Sequence, residues 1–253
     1  MTKRRDRAGF SLVELAIVLL IIGLIVGGVL KGQDLIRSAR VNNVATTLNE
    51  VRAATNTFQD KYVAFPGDFS RPEMIDPGVF SSTEAGDGNG RIDDNNGESG
   101  GTAGQWWHDN ESGFFWAHLA GAGLISGVDP EAIAQEGNLG DQSNPTLGLE
   151  SAVGGYFTVG FVDPDSSPKF NLGGGTRSLS GHWFRLASDA HPGENTTAGV
   201  FSPVDLRSLD RKMDDGKSVT GDVIGNGNSG SCRDGDVYAA GESDSACVGW
   251  FRM

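Results

Sequence analysis

Cysteine is scarce in this chain: two residues, Cys232 and Cys247, occur among 253. Their spacing matches neither a Cys-x-x-Cys redox pair nor a zinc-ligand pattern, so we expect neither role. An isolated pair outside the cytoplasm predicts a disulfide. Closing a loop of about 16 residues would stabilise the fold by roughly 3 kcal/mol. The cysteines therefore predict a covalently closed region near the C-terminus.

Positive charge is also in short supply, with 20 Lys and Arg against 33 Asp and Glu and a formal net charge of −13. This acidity argues against direct nucleic-acid binding through a basic face. It suits a soluble exterior or the binding of divalent cations. Glycine is abundant at 38 residues, which predicts long loops. The length indicates one large domain, or one domain with an insertion.

The sequence lacks a convincing catalytic signature, because it shows neither a nucleophile elbow nor a paired histidine–aspartate set. Four possible metal ligands fall in one stretch, but their spacings form no known ligand set. We expect residues 105–127 to be helical in the middle and to form a core helix with polar edges, and we expect no enzyme activity. The four residues are His108, Asp109, Glu111 and His118.

Against these absences stands one long apolar run, residues 9–30, interrupted by a single carboxylate, Glu14. About 20 apolar residues cross the roughly 30 Å hydrocarbon core as a helix. The basic residues in the preceding segment, 1–8, predict a cytoplasmic N-terminus. A secretory signal peptide has a shorter apolar core and ends at a small-residue cleavage site. A carboxylate within such a span costs a few kcal/mol, so Glu14 marks a functional position.

A cut between Gly9 and Phe10 would explain Glu14. The cut creates a new α-amine at Phe10, with which Glu14 of a neighbouring copy could pair. Buried opposite charges are tolerated when paired and costly when single. A carboxylate in the first turn of a helix also complements its macrodipole.

The basic leader ending in Gly9, then Phe10, Glu14 and a long apolar helix, resembles the type IV pilins and the related pseudopilins of type II secretion. The resemblance implies cleavage after Gly9 by a prepilin peptidase, usually with N-methylation of Phe10, and a role for Glu14 in registering subunits in a helical filament. It places the chain in the bacterial inner membrane first, then in a surface filament or a periplasmic pseudopilus. Many pilins also close a C-terminal loop by a disulfide. Loss of the leader would take the formal charge to −16, since the leader holds four basic residues and one acidic one.

Within the apolar run, Gly23 and Gly27 form a Gly-x-x-x-Gly pair, which lets membrane helices approach closely. Many pilins carry a helix-breaking proline in this segment, and this sequence has none. Local melting of the helix during assembly and simple close packing therefore remain alternative roles for the glycines.

Apolar residues recur every three or four positions beyond the run, so we expect one helix of about 50 residues, from Phe10 to near Tyr62. Its first half is apolar all round, and its amphipathic second half should be the spine of a globular head. The expected divisions are a leader (1–9), a membrane or filament-core half (10–35), an amphipathic half (36–65) and the head (66–253). The resemblance implies a pilin-like α+β fold, in which this helix packs on an antiparallel sheet with long Gly-rich loops.

Within the head, residues 155–162 and 181–187 are predicted strands, and 236–239 and 248–251 supply one or two more. A short helix should begin with Ser202 as N-cap and Pro203 at its first position and run to residues 211–213. Residues 67–104 and 128–153 are predicted to be loops.

The loop at residues 86–98 resembles the middle of an EF-hand calcium loop. Oxygen ligands on alternate residues of a tight loop suit calcium. The match is partial, because the first ligand position falls on Ala85 and the last on Asn96. An acidic turn without a cation remains the alternative. The candidate positions are Asp87, Asn89, Arg91 and Asp93.

Three functions are therefore open: a pilus-like filament subunit, a type II secretion pseudopilin, and a calcium-dependent binding module behind a membrane anchor. The large Gly-rich head and the late cysteine pair favour a surface pilin. The partners expected for it are identical or related pilin subunits, a prepilin peptidase and the inner membrane.

Overall fold

A computed structural model describes residues 12–81, 84–93, 110–131, 148–162, 179–188, 199–227, 231–240 and 246–253. The chain divides into two units, Met1–Arg40 and Val41–Met253. The leader (1–9) and Phe10 lie outside the described residues.

The first element is a 51-residue helix, α1, Leu12–Tyr62, which confirms the prediction of one continuous helix. No residue of α1 within the first unit is buried, whereas one stripe of its second part is. The helix ends at Tyr62 because Val63 adopts a left-handed conformation with φ +56°. The stripe repeats every three or four residues, as the amphipathic pattern predicted, and consists of Val41, Val44, Ala45, Leu48, Val51, Ala54, Thr55 and Phe58.

The head contains a five-stranded antiparallel sheet in the order β1-β2-β3-β7-β4. Together with α1 it gives the expected pilin-like α+β fold. A separate two-stranded sheet pairs β5 with β6. The strands are β1 (Leu149–Glu150), β2 (Tyr156–Val162), β3 (Gly181–Ala187), β4 (Val223–Asn226), β5 (Arg233–Asp234), β6 (Val237–Tyr238) and β7 (Val248–Arg252).

The predictions for β2, β3, β6 and β7 are confirmed, and one loop prediction is partly wrong. Strand β1 lies within residues 128–153, which were expected to be a loop, because Leu149 and Glu150 pair with the start of β2. Strands β4 and β5 were not predicted. Each is four residues or shorter, so neither carries a readable alternation.

Among its described residues, the head has the helices α2 (Asn110–Gly121) and α3 (Pro203–Met213), together with a 3₁₀ turn at Pro72–Met74. Helix α2 confirms the helical middle of residues 105–127, but its polar side chains lie inside the head: Glu111 and His118 are fully buried. Helix α3 begins as predicted, with the Ser202 Oγ accepting the Asp205 N–H at 3.1 Å.

The core lies on both faces of the sheet, because alternate residues of a strand point in opposite directions. Along β3, Phe184 and Leu186 join the main cluster with the α1 stripe and α2. Trp183 and Ala187 join a smaller cluster that includes Trp250.

The predicted disulfide joins Cys232 to Cys247, and both residues are fully buried. Cys232 directly precedes β5, and Cys247 directly precedes β7. The bond therefore ties the small sheet to an inner strand of the large one.

We predict that the double substitution Cys232→Ala/Cys247→Ala lowers the free energy of unfolding by roughly 3 kcal/mol, because the unfolded chain regains the freedom of the open loop. Urea unfolding of the full chain in detergent, followed by tryptophan fluorescence, measures this. Ser208→Ala, at an exposed position of α3, is the control and should change stability by less than about 0.5 kcal/mol. Equal stability of the double variant and the oxidised wild type would contradict the prediction.

Candidate functional site

The apolar part of α1 is one candidate functional surface. It contains an 18-residue window with mean hydropathy 2.8, none of which is buried, so by length and composition this helix is able to cross a membrane. Its large side chains are exposed, from Leu12 at 89 % to Ile21 at 48 %. An apolar surface of this extent marks contact with a membrane or with another protein.

Glu14 lies in the first turn of α1 and is exposed. The next charged residue along the chain is Lys31, so Glu14 carries the one formal charge of residues 12–30. Its position near the helix N-terminus lets it complement the macrodipole. Gly9 and Phe10, the predicted processing residues, lie outside the described residues.

Gly23 and Gly27 leave a bare patch on the same surface. Apart from the backbone of its own helical turn and its chain neighbours, a Cβ atom added at either position would meet no described atom within 4 Å. Packing within the described chain therefore does not require glycine there, whereas close approach of a second helix would.

The head holds a second candidate site, which we call the acidic cluster: Asp68, Asp87 and Glu111. Each offers one carboxylate oxygen, and these oxygens lie within 4.8 Å of one another. Asp68 lies in the turn after α1, Asp87 lies in the loop 84–93, and Glu111 is in the first turn of α2. Three separate chain segments thus supply the carboxylates.

Two glycines allow these segments to meet. Gly67 has φ +87°, and a Cβ there would lie 2.4 Å from the backbone oxygen of Glu111. A Cβ at Gly86 would lie 2.4 Å from the Gly67 oxygen and 2.5 Å from the Asp68 Cα. A side chain at either position would force the loop, the turn and α2 apart.

Backbone N–H groups of the loop hold two of the carboxylates in place. The Glu111 Oε1 accepts the Asp87 N–H at 2.9 Å, and its Oε2 accepts the Asp93 N–H at 2.8 Å. The Asp68 Oδ2 accepts the Gly90 N–H at 2.9 Å. These bonds fix the carboxylates without using every lone pair, since each oxygen accepts up to two.

The four predicted calcium positions behave differently from one another. Asp87 belongs to the acidic cluster. Asp93 is buried beside the cluster, and its backbone N–H donates to the Glu111 carboxylate. Asn89 shapes the turn, because its N–H donates to Asp87 and its Oδ1 accepts the Arg91 N–H at 2.7 Å. The Arg91 guanidinium lies over the Phe161 ring, 4.7 Å from its centroid.

Sequence reasoning missed Asp68 and placed Glu111 in a different group. His118, which was grouped with Glu111, accepts the Gly67 N–H at its Nδ1 and contacts the Glu84 oxygen through its Nε2. Burial lowers the pKa of His118 to about 4, so it is a neutral core residue at pH 7. His108 and Asp109 lie outside the described residues.

The acidic cluster holds carboxylates in an environment that penalises their charge. Burial raises the pKa of Glu111 to about 8, and the charges of Asp68 and Asp93 add to the rise against the two N–H bonds. Burial also raises the pKa of Asp68 to about 6, with a further contribution from Asp87. A cation among these groups would favour their ionised forms.

A second acidic group, Asp210, Asp214 and Asp215, lies at the end of α3. Its buried member has a donor on each oxygen, since Asp210 Oδ1 accepts the Gly216 N–H and Oδ2 accepts the Tyr238 hydroxyl. Asp214 caps α3 and accepts the Asp222 N–H. These hydrogen bonds explain the second acidic group as part of the turn that ends α3.

Comparison with protein-family models gives a match at residues 4–30 to the prokaryotic N-terminal methylation motif. No curated protein and no solved structure matches this chain. The match spans the end of the basic leader, the predicted cleavage site, Glu14 and the apolar part of α1. It points to a structural subunit rather than an enzyme. The chain thus carries, at residues 4–30, the prepilin-type motif found in type IV pilins and pseudopilins, and a pilin-like α+β fold follows it.

Proposed function

We propose that this chain is a structural subunit of a type IV pilus-like filament, cleaved after Gly9 and assembled through its N-terminal helix. The observation that carries the proposal is the apolar surface of α1 from Leu12 to Leu30, exposed on all sides and bearing one carboxylate. The membrane covers this surface before assembly, and the helices of neighbouring subunits cover it afterwards.

The physical argument concerns what drives the helix from lipid into the filament. Lipid tails are as apolar as leucine, so the exchange of lipid for neighbouring helices provides little hydrophobic free energy. Close packing and polar pairing must therefore supply the preference. The bare patch at Gly23 and Gly27 allows the helices to pack closely. The polar pair is formed by Glu14 and the Phe10 amine of a neighbour.

The same pairing sets the register between neighbouring subunits and lets the helical array extend without closing. Glu14 of one subunit and Phe10 of the next are different positions, so the contact is heterologous and continues from copy to copy as a helical array. The acidic heads then form the exterior, where a formal charge of −16 per mature chain favours solubility. In the precursor, the basic leader keeps the N-terminus on the cytoplasmic face.

A pseudopilin of type II secretion would use the same N-terminal chemistry in a short periplasmic filament. The large Gly-rich head and the Cys232–Cys247 bond favour a surface pilin. Recovery of the assembled protein from sheared cell surfaces supports the pilus, and its retention within the cell envelope supports the pseudopilus.

We predict that Glu14→Gln abolishes filaments while leaving the precursor in the membrane. Without the carboxylate, the Phe10 amine of a neighbour would be buried unpaired, at a cost of about 3–5 kcal/mol per contact. The measurement is the amount of the chain in sheared surface filaments relative to that in the membrane fraction.

The matched control is Glu50→Gln, the same change at an exposed position of α1 within the head unit. It should assemble like the wild type. Normal filament yield from the Glu14 variant would show that this carboxylate does not guide assembly.

We also predict that Gly9→Val blocks processing, because a branched side chain then stands directly before the scissile bond. Intact-mass and N-terminal analysis should give a chain beginning at methylated Phe10 for the wild type and at the uncut leader for the variant. Thr2→Val, far from the bond in the same leader, should be processed normally. A wild-type chain that retains its leader would remove the basis for the proposed assembly.

A further inference from the structure

The acidic cluster contains a buried oxygen that the described protein leaves without a donor. Asp68 is 2 % exposed, and its Oδ1 has no hydrogen-bond partner among the described residues. Its Oδ2 is occupied by the Gly90 N–H. Leaving a buried carboxylate oxygen unsatisfied is costly, so such an atom points to a ligand.

The charge of the cluster points to a cation. Three carboxylates converge within 4.8 Å, and Asp93, also fully buried, lies beside Glu111. No Lys or Arg forms an ion pair with Asp68, Asp87 or Glu111 in the part of the chain that the structure describes. Buried like charges at this distance require a positive partner or protonation.

The donors point to a hard divalent ion. All three side chains offer carboxylate oxygens, which are ligands that calcium prefers. Asp87 is exposed, so the site opens to solvent on one side and water can complete the coordination. Calcium tolerates an irregular set from three chain segments better than magnesium, which demands a near-ideal octahedron.

We propose that Asp68, Asp87 and Glu111 bind one Ca²⁺ ion, which fixes the loop 84–93 between the end of α1 and the start of α2. The ligand set differs from the EF-hand-like positions, because it takes one carboxylate from the loop and two from outside it. The site lies entirely within the head, so its existence does not depend on filament assembly.

The proposal is tested by Ca²⁺ titration of the full chain, stripped with a chelator and kept in detergent micelles as unassembled protein. Calorimetry should give one Ca²⁺ per chain, with a Kd of about 10⁻⁴–10⁻³ M, as in other extracellular modules. At ten times Kd, Ca²⁺ should raise the Tm by about 3–6 °C.

Two variants carry the test, Asp68→Asn and Asp87→Asn. Asparagine preserves an acceptor for the Gly90 N–H in the first variant, and the second changes an exposed side chain, so both should fold without the ion. Each should weaken Ca²⁺ binding about tenfold or more and reduce the Tm shift accordingly. Asp215→Asn removes the same charge from the second acidic group and should bind Ca²⁺ like the wild type.

Three results would overturn the proposal. The first is no saturable binding by the wild type up to about 10 mM Ca²⁺, well above the weakest extracellular sites. The second is loss of binding in Asp215→Asn with binding retained in the two cluster variants, which would move the ion to the end of α3. The third is equal affinity for Mg²⁺, which would refute the choice of calcium.

Discussion

One helix must satisfy two environments, and the rest of the structure depends on this constraint. From Val41 to Phe58, α1 buries a single stripe in the head, whereas from Leu12 to Leu30 it exposes apolar side chains all round. A helix can serve in both places because its backbone hydrogen bonds are made internally and survive transfer from water to hydrocarbon. The first part of the helix thus exposes an apolar surface, and its second part contributes a buried stripe to the head. An exposed apolar surface of this extent marks contact with a membrane or with another protein.

A second constraint acts where α1 gives way to the head. The turn at Gly67 and the backbone at Gly86 let three segments approach within van der Waals distance, and this approach brings Asp68, Asp87 and Glu111 together. The loop N–H groups then hold Asp68 and Glu111, although burial penalises their charge. A divalent cation would compensate these buried negative charges and link the end of α1 to the start of α2. Hydrogen bonds alone account for the end of α3, where both oxygens of Asp210 have donors, but they leave the Asp68 Oδ1 unexplained.

Much of the fold could be predicted because its signals are local. The period of α1, the Ser202 cap before Pro203, and the apolar runs of β2 and β3 are each written in a single stretch of sequence. Strands β1, β4 and β5 were missed because two to four residues carry no readable pattern and form strands through their partners. The polar side chains of α2 were expected at its edges. They are buried instead because their partners come from elsewhere: Ser112 donates to the Val159 oxygen, and His118 bonds to Gly67.

The acidic cluster could not be predicted from the spacing of residues along the sequence. A search for alternate oxygen ligands finds Asp87 and Asp93 but also selects Asn89, whose carboxamide closes the turn instead. Glu111 lies 24 residues from Asp87, and Asp68 reaches the loop through Gly90, 22 residues away, so no linear motif contains the set. The usable signal was the pair of glycines, since Gly67 and Gly86 mark where the backbone must pass close to another segment. A ligand set assembled in this way depends on the folded head and, in return, holds its loop in place. The proposed Ca²⁺ site would therefore form only once the head has folded.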